Sequence, residues 1–88
     1  MPMWGLDVQQ VRQLGSQLTQ KAGEIETLLS TLTNALNSTQ WEGPDATAFR
    51  NEWSGQHTAA LRNVANALRD AGAKATQNAS QQESTSSN

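Results

Sequence analysis

Between Asp7 and Thr39 the apolar residues fall at Val11, Leu14, Leu18, Ile25, Leu28, Leu29, Leu32, Ala35 and Leu36. Steps of three and four keep side chains on one side of an α-helix, and the strict alternation of a strand is missing. No proline breaks the run. Asp7 stands just ahead of it, where a carboxylate can accept the free amide hydrogens of a first turn, so the spacing predicts a helix over about 7–39 with Asp7 as N-cap. At 1.5 Å per residue such a rod is about 50 Å long and needs a partner of similar length. Val11, Leu18, Ile25 and Leu32 repeat every seven residues, with Leu14, Leu28 and Ala35 between them, in the manner of a coiled-coil seam. Leu29 and Leu36 widen that seam beyond what one neighbouring helix covers. Lys21 interrupts it, either laying its stem along the apolar surface with the ammonium in water or fixing the register.

From Asn37 to Pro44 the chain collects Asn, Ser, Thr, Gln, Gly and Pro, which ends the first periodicity and predicts a turn at 40–43. Gly43-Pro44-Asp45 suits a helix start, because proline is tolerated at the first helical position and an early acid favours the positive end of the helix dipole. A second helix is expected over about 44–78, with an apolar face of Ala46, Phe49, Trp53, His57, Ala60, Leu61, Val64, Ala67, Leu68, Ala71 and Ala75. Its alanines leave little bulk, so the two backbones can approach closely. Gly55 and Gly72 each cost about 1 kcal/mol in a helix interior, and fraying is expected near Gly72. The segment 80–88 is Ser, Gln, Thr, Asn and Glu without a large apolar anchor, and a flexible polar tail is expected there. The fold class is therefore all-α, an antiparallel two-helix hairpin over residues 1–79, which becomes a four-helix bundle when a second hairpin covers the wide stripe.

Length and chemistry narrow the function. With 88 residues a single core is marginal unless something reinforces it, and with no cysteine that cannot be a disulfide. Association with another chain is the remaining route. The missing thiols also remove cysteine nucleophiles and thiolate zinc sites, and one histidine, His57, builds no metal site alone. No metal and no cofactor are expected. Six basic residues against eight acidic ones are scattered along the chain, so nucleic acid is not an expected partner. No stretch reaches the length of a membrane span, and Met1 to Leu6 lacks the charged start and apolar run of a cleaved signal. The polar faces hold few Lys and Arg, which argues against a membrane-lytic role.

No catalytic grouping emerges, since a serine or threonine nucleophile needs an oriented base and His57 has no acid partner set close to it by the sequence pattern. The chain reads as a binding protein and not as an enzyme. His57 is expected at an interface or edge, and Arg50, on the same face as Trp53 and His57, is expected at a subunit boundary, pairing with a partner's acid or stacking on an aromatic ring.

Trp41-Glu42-Gly43 lies at the turn, midway between two long helices, and is followed by Pro44-Asp45-Ala46, Phe49 and Trp53. Read structurally, the tryptophan folds over the helix ends while the glycine takes a backbone conformation that other residues resist. This arrangement over about 6–79 resembles the WXG family of ESAT-like proteins handled by type VII secretion systems, with Trp41 and Gly43 as the family motif. The resemblance implies a homodimer, or a heterodimer with a sister WXG protein, that is exported folded, without a cleaved signal peptide, and recognised by a membrane ATPase of the FtsK/SpoIIIE type. The chain is then cytoplasmic before export and secreted after it. Expected interface residues are Trp4, Val11, Leu14, Leu18, Ile25, Leu29, Phe49, Arg50, Trp53 and His57. In an antiparallel pair of hairpins Trp4 packs on the partner's Phe49, Trp53 or Trp41. Members that carry their own export signal have Tyr-x-x-x-Asp or Tyr-x-x-x-Glu after helix 2. Here those positions are Ala75 and Ala79, which leaves Gln81, Gln82 and Glu83 as the candidate export tail or a sister chain as the carrier of the signal. The same apolar faces fit an alternative, a cytosolic adaptor for a larger helical toxin or effector.

Overall fold

The computed structural model describes residues 6–87, and among these every regular element is helical. Helix α1 spans Val8–Ser38. The second arm is one uninterrupted rod made of α2 (Pro44–Glu52), a π-helical turn (Trp53–His57) and α3 (Thr58–Ser87). The arms run antiparallel and form an all-α hairpin of 65 × 18 × 13 Å. A layer one helix thick buries only the sides that the two arms turn toward each other. Both of its broad faces stay open.

Local chemistry sets the ends of the elements. Asp7 is the N-cap, its Oδ1 accepting from the backbone N–H of Gln10 at 3.0 Å. At the far end of α1 the Thr39 hydroxyl donates to the Ala35 carbonyl at 2.6 Å and Ser38 to Asn34 at 2.8 Å, so two of the last helical carbonyls gain partners. The chain leaves the turn through Gly43 at φ 125°, the left-handed side of backbone space where a Cβ is strained. Pro44 then opens α2, and the Thr47 N–H donates back to the Gly43 carbonyl at 3.0 Å.

The inner row of α1 is Gly15, Ala22 and Leu29, spaced by seven, with Val11, Leu18, Ile25 and Leu36 half-buried beside it. The expected seam holds for Val11, Leu18 and Ile25, whereas Leu14, Leu28 and Leu32 point out of the hairpin. On the second arm the inner row is Ala46 and Trp53, then Thr58, Ala65, Gly72 and Ala79. This corrects the expected face through His57, Ala60, Val64, Ala67 and Ala71. In a continuous α-helix Trp53 would be followed inward by residues 57, 60 and 64, but the π turn takes up one extra residue, with the Thr58 N–H donating to the Trp53 carbonyl. Everything beyond it is displaced by one position. That displacement brings Gly72 onto Gly15, where the backbones cross: a Cβ built on either glycine would lie 2.9–3.0 Å from the other's carbonyl oxygen. Gly72, where fraying is expected from sequence, is buried at this crossing inside an unbroken helix.

The second arm also runs past the expected end at 78 and through the segment expected to be flexible, reaching Ser87 as helix. Ala79 and Gln82 continue the inner row and are buried, and Arg12 Nη2 meets Glu83 Oε1 at 3.0 Å. The first turns of α1 lie alongside and supply the apolar support that the composition of 80–88 lacks.

Candidate interaction surface

The turn is held by one side chain. Arg50 donates to the carbonyls of Leu36 and Thr39, each at 3.0 Å, and of Trp41 at 2.6 Å. A fixed guanidinium fork suits three acceptors that diverge, and its charge complements the negative end of α1. The same guanidinium carbon lies 5.9 Å from the centre of the Trp41 ring. Arg50 is thus engaged within its own chain, by the carbonyls of the turn and the ring of Trp41. Trp41, exposed at the tip, is the first ring of a series: Trp41 to Phe49 is 6.3 Å, Phe49 to Trp53 6.3 Å and Phe49 to His57 6.4 Å. Such offset ring pairs each add about 0.5–1.5 kcal/mol beyond area burial.

Only one of these rings goes inward. Trp53 is buried, with Nε1 donating to Thr33 Oγ1 at 3.0 Å. Phe49 and His57 stay exposed, the His57 Nε2 lying 3.9 Å from a Glu52 oxygen. The buried Thr58 hydroxyl donates to the Ser54 carbonyl at 3.2 Å, so the π turn leaves this polar group satisfied.

Beyond the rings, the outward residues share one face of the hairpin. Leu14 and Leu28 each immediately precede an inner-row residue of α1, Gly15 and Leu29, and so sit about 100° to one side of it. His57 and Val64 stand in the same relation to Thr58 and Ala65. Because the arms are antiparallel, the same sense of rotation carries both rows to the same broad face. Leu32, four residues after Leu28, joins them. Leu14, Leu28 and Val64 are 49%, 46% and 47% exposed, values foreign to a finished core. The opposite face carries two ion pairs, Arg12 with Glu83 and Glu26 with Arg69, and a groove of about 380 Å³ lined by Glu26, Leu29, Ser30, Thr33, Asn34 and Arg62, while Lys21 and Glu52 stand on the apolar side.

The expected interface residues thus divide. Leu14, Phe49 and His57 stand on the apolar face; Val11, Leu18 and Ile25 are half-buried along the seam; Leu29 and Trp53 are covered by the hairpin itself and present little to a partner. Trp4 lies outside the described residues. In the candidate export tail Gln81 is exposed, Gln82 is buried and Glu83 is tied to Arg12. Leu28 and Leu32 belong to the wide stripe on α1, and Val64 to the apolar face expected for the second helix; the π turn, which leaves no mark in the hydrophobic pattern, is what turns Val64 outward.

Among the described residues no three His, Cys, Asp or Glu side chains gather where they could hold a metal ion, and no helix is long and apolar enough to cross a membrane. No family model, no curated protein and no solved structure matches the chain.

Proposed function

We propose that this protein works by binding, as a small WXG-like hairpin of a type VII secretion system that is either exported or accompanies an exported sister chain. One observation carries the reading: a Trp-x-Gly turn, clamped by Arg50, ends a hairpin whose adjoining face exposes Phe49, Leu32, Leu28 and Val64. Exposed large apolar side chains gathered on one face mark a protein contact. Its elongated form fits a second helical hairpin, which would add the missing layer and complete a four-helix bundle. The chemistry this supports is recognition of a partner followed by handling of the pair by the secretion ATPase.

Sedimentation of the chain at micromolar concentration tests the contact. We expect an assembly larger than a monomer, alone or with its sister chain, and its loss in Leu28→Asp and Val64→Asp with helicity unchanged. Both positions are solvent-facing, so a monomer with either aspartate retains its fold. Assembly that survives both substitutions overturns the face, and a producer strain that releases neither this chain nor a bound sister into the supernatant overturns the secretion reading.

A further inference from the structure

Away from the apolar face, the flanks of the two arms carry a second regularity. Thr19, Glu26 and Thr33 each follow an inner-row residue of α1 by four positions, and Arg62, Arg69, Thr76 and Glu83 each follow one of the second arm by four. Four residues turn a helix about 40° past a full circle, so these side chains line one flank of the seam, with Arg12 seven residues before Thr19 at its start. Antiparallel arms pair them across the seam as rungs. Arg12 meets Glu83, and Glu26 meets Arg69. Thr19 and Thr76 stand at the glycine crossing, their hydroxyls beside Gly72 and Gly15. The fourth rung sets Arg62 opposite Thr33, which has no charge to offer, and both line the groove of about 380 Å³. Among the described residues Arg62 makes no ion pair and no hydrogen bond.

We propose that this rung is completed from outside, by a side-chain carboxylate on an acidic segment of a partner protein that lies in the groove. The polar groups around Arg62 are placed to donate. Ser30 and Asn34 bring a hydroxyl and an amide, and the Thr33 hydroxyl, which accepts from Trp53 Nε1, keeps its own proton to give. An ionised carboxylate only accepts, and a guanidinium fork takes its two oxygens side by side. Leu29, buried at the seam, adds apolar lining for the methylenes of such a side chain. Charge decides between a carboxylate and a phosphate. Arg62 and Arg69 against Glu26 leave a local surplus of one positive charge, which a carboxylate neutralises and a phosphate dianion overshoots beside the Glu26 oxygens. The surplus is local, because the chain as a whole carries a net charge of -2. Exposure decides between a free ion and a protein segment. Arg62 is open to solvent, where a lone ion pair contributes too little to hold a small ion, so residues flanking the carboxylate must add contacts along the groove. The groove lies on the face away from the apolar one, and an assembly formed there leaves it open. The inference therefore stands apart from the secretion reading.

Titration of the isotopically labelled protein with an octapeptide of alternating glycine and glutamate, followed by NMR, tests it. We expect the amide signals of Ser30, Thr33 and Asn34 and the side-chain Nε–H of Arg62 to shift together, and the glutamine counterpart of the peptide to leave them in place. Arg62→Gln should weaken binding about fivefold, the scale of one partly exposed charge pair. Lys74→Gln removes the same charge from an exposed site on the same arm and should leave binding unchanged. Both side chains are solvent-facing, so circular dichroism should show both variants folded. Equal weakening by the two variants reduces the effect to diffuse charge and overturns the site. Shifts of the same size with acetate or inorganic phosphate alone overturn the protein segment in favour of a free anion. A glutamate peptide that moves none of these signals in the unsubstituted protein, even at millimolar concentration, overturns the inference without recourse to any variant.

Discussion

Glycine carries opposite weights at different places in this chain. At Gly15 a Cβ would lie 2.6 Å from Thr76 Oγ1 and 3.0 Å from the Gly72 carbonyl oxygen, and while the hydroxyl can rotate away, the backbone cannot. At Gly23, on the same helix, nothing stands within 4 Å. Alanine brings about 1 kcal/mol of helix propensity at both sites. Gly23→Ala should therefore stabilise the hairpin by about 0.5–1 kcal/mol, while in Gly15→Ala the separation of the two backbones should outweigh that gain and leave the protein about 1–2 kcal/mol less stable. Urea unfolding followed by circular dichroism measures both, and equal effects of one sign would remove the backbone crossing as a source of stability. Gly15 was not legible as part of the core in the sequence, because a search for apolar periodicity passes over glycine. Asp7 was legible, since a cap depends on a side chain and its immediate neighbours and on nothing farther away.

At the scale of elements the hairpin was readable for a simple reason: steps of three and four, an unbroken first run and a Gly-Pro restart are local signals that tertiary packing here reinforces. Phase was not readable. The second arm offers two adjacent rows, one through His57 and Val64 and one through Thr58 and Ala65, and the single extra residue absorbed at Trp53–His57 decides between them. The end of the arm escaped for another reason, in that its Ser-Gln-Thr composition speaks for disorder while its support comes from α1, some seventy residues earlier in the chain. If Gln82 and Glu83 hold this end against α1, deleting residues 80–88 should lower the mean-residue helical signal and the melting temperature. A loss of about 1 kcal/mol corresponds to a shift of about 4–8 °C in a domain of this size. Because Glu83 is largely exposed, most of that loss should come from the buried row and little from the ion pair, so raised salt should leave the shift nearly unchanged. An unchanged melting temperature after the deletion would show that the last helical turns contribute nothing to the fold.

On the proposed reading, the whole molecule has a closed seam at the place where WXG proteins with their own signal would display an aromatic ring and an acid. Ala75 is half-buried and Ala79 is fully buried against α1, so these positions face the hairpin interior even though they keep the one-turn spacing that a single pocket could read. The acid nearest to them in sequence on the far side, Glu83, is engaged with Arg12. On the proposed reading, this chain expressed as the sole WXG protein in a strain with a working type VII system should remain with the cells, and co-expression of its sister chain should bring it into the supernatant. Installing the motif does not provide a shortcut: Ala75→Tyr with Ala79→Asp places an ionised carboxylate where no atom of the present residue reaches water, and the double variant should lose helicity instead of gaining export. Immunoblots of the supernatant, with a cytoplasmic marker as lysis control, decide the first point and circular dichroism the second. Robust export of the chain on its own would refute the need for a carrier. The 80–88 deletion would then tell whether the helical end that packs beside α1 is itself what the ATPase reads.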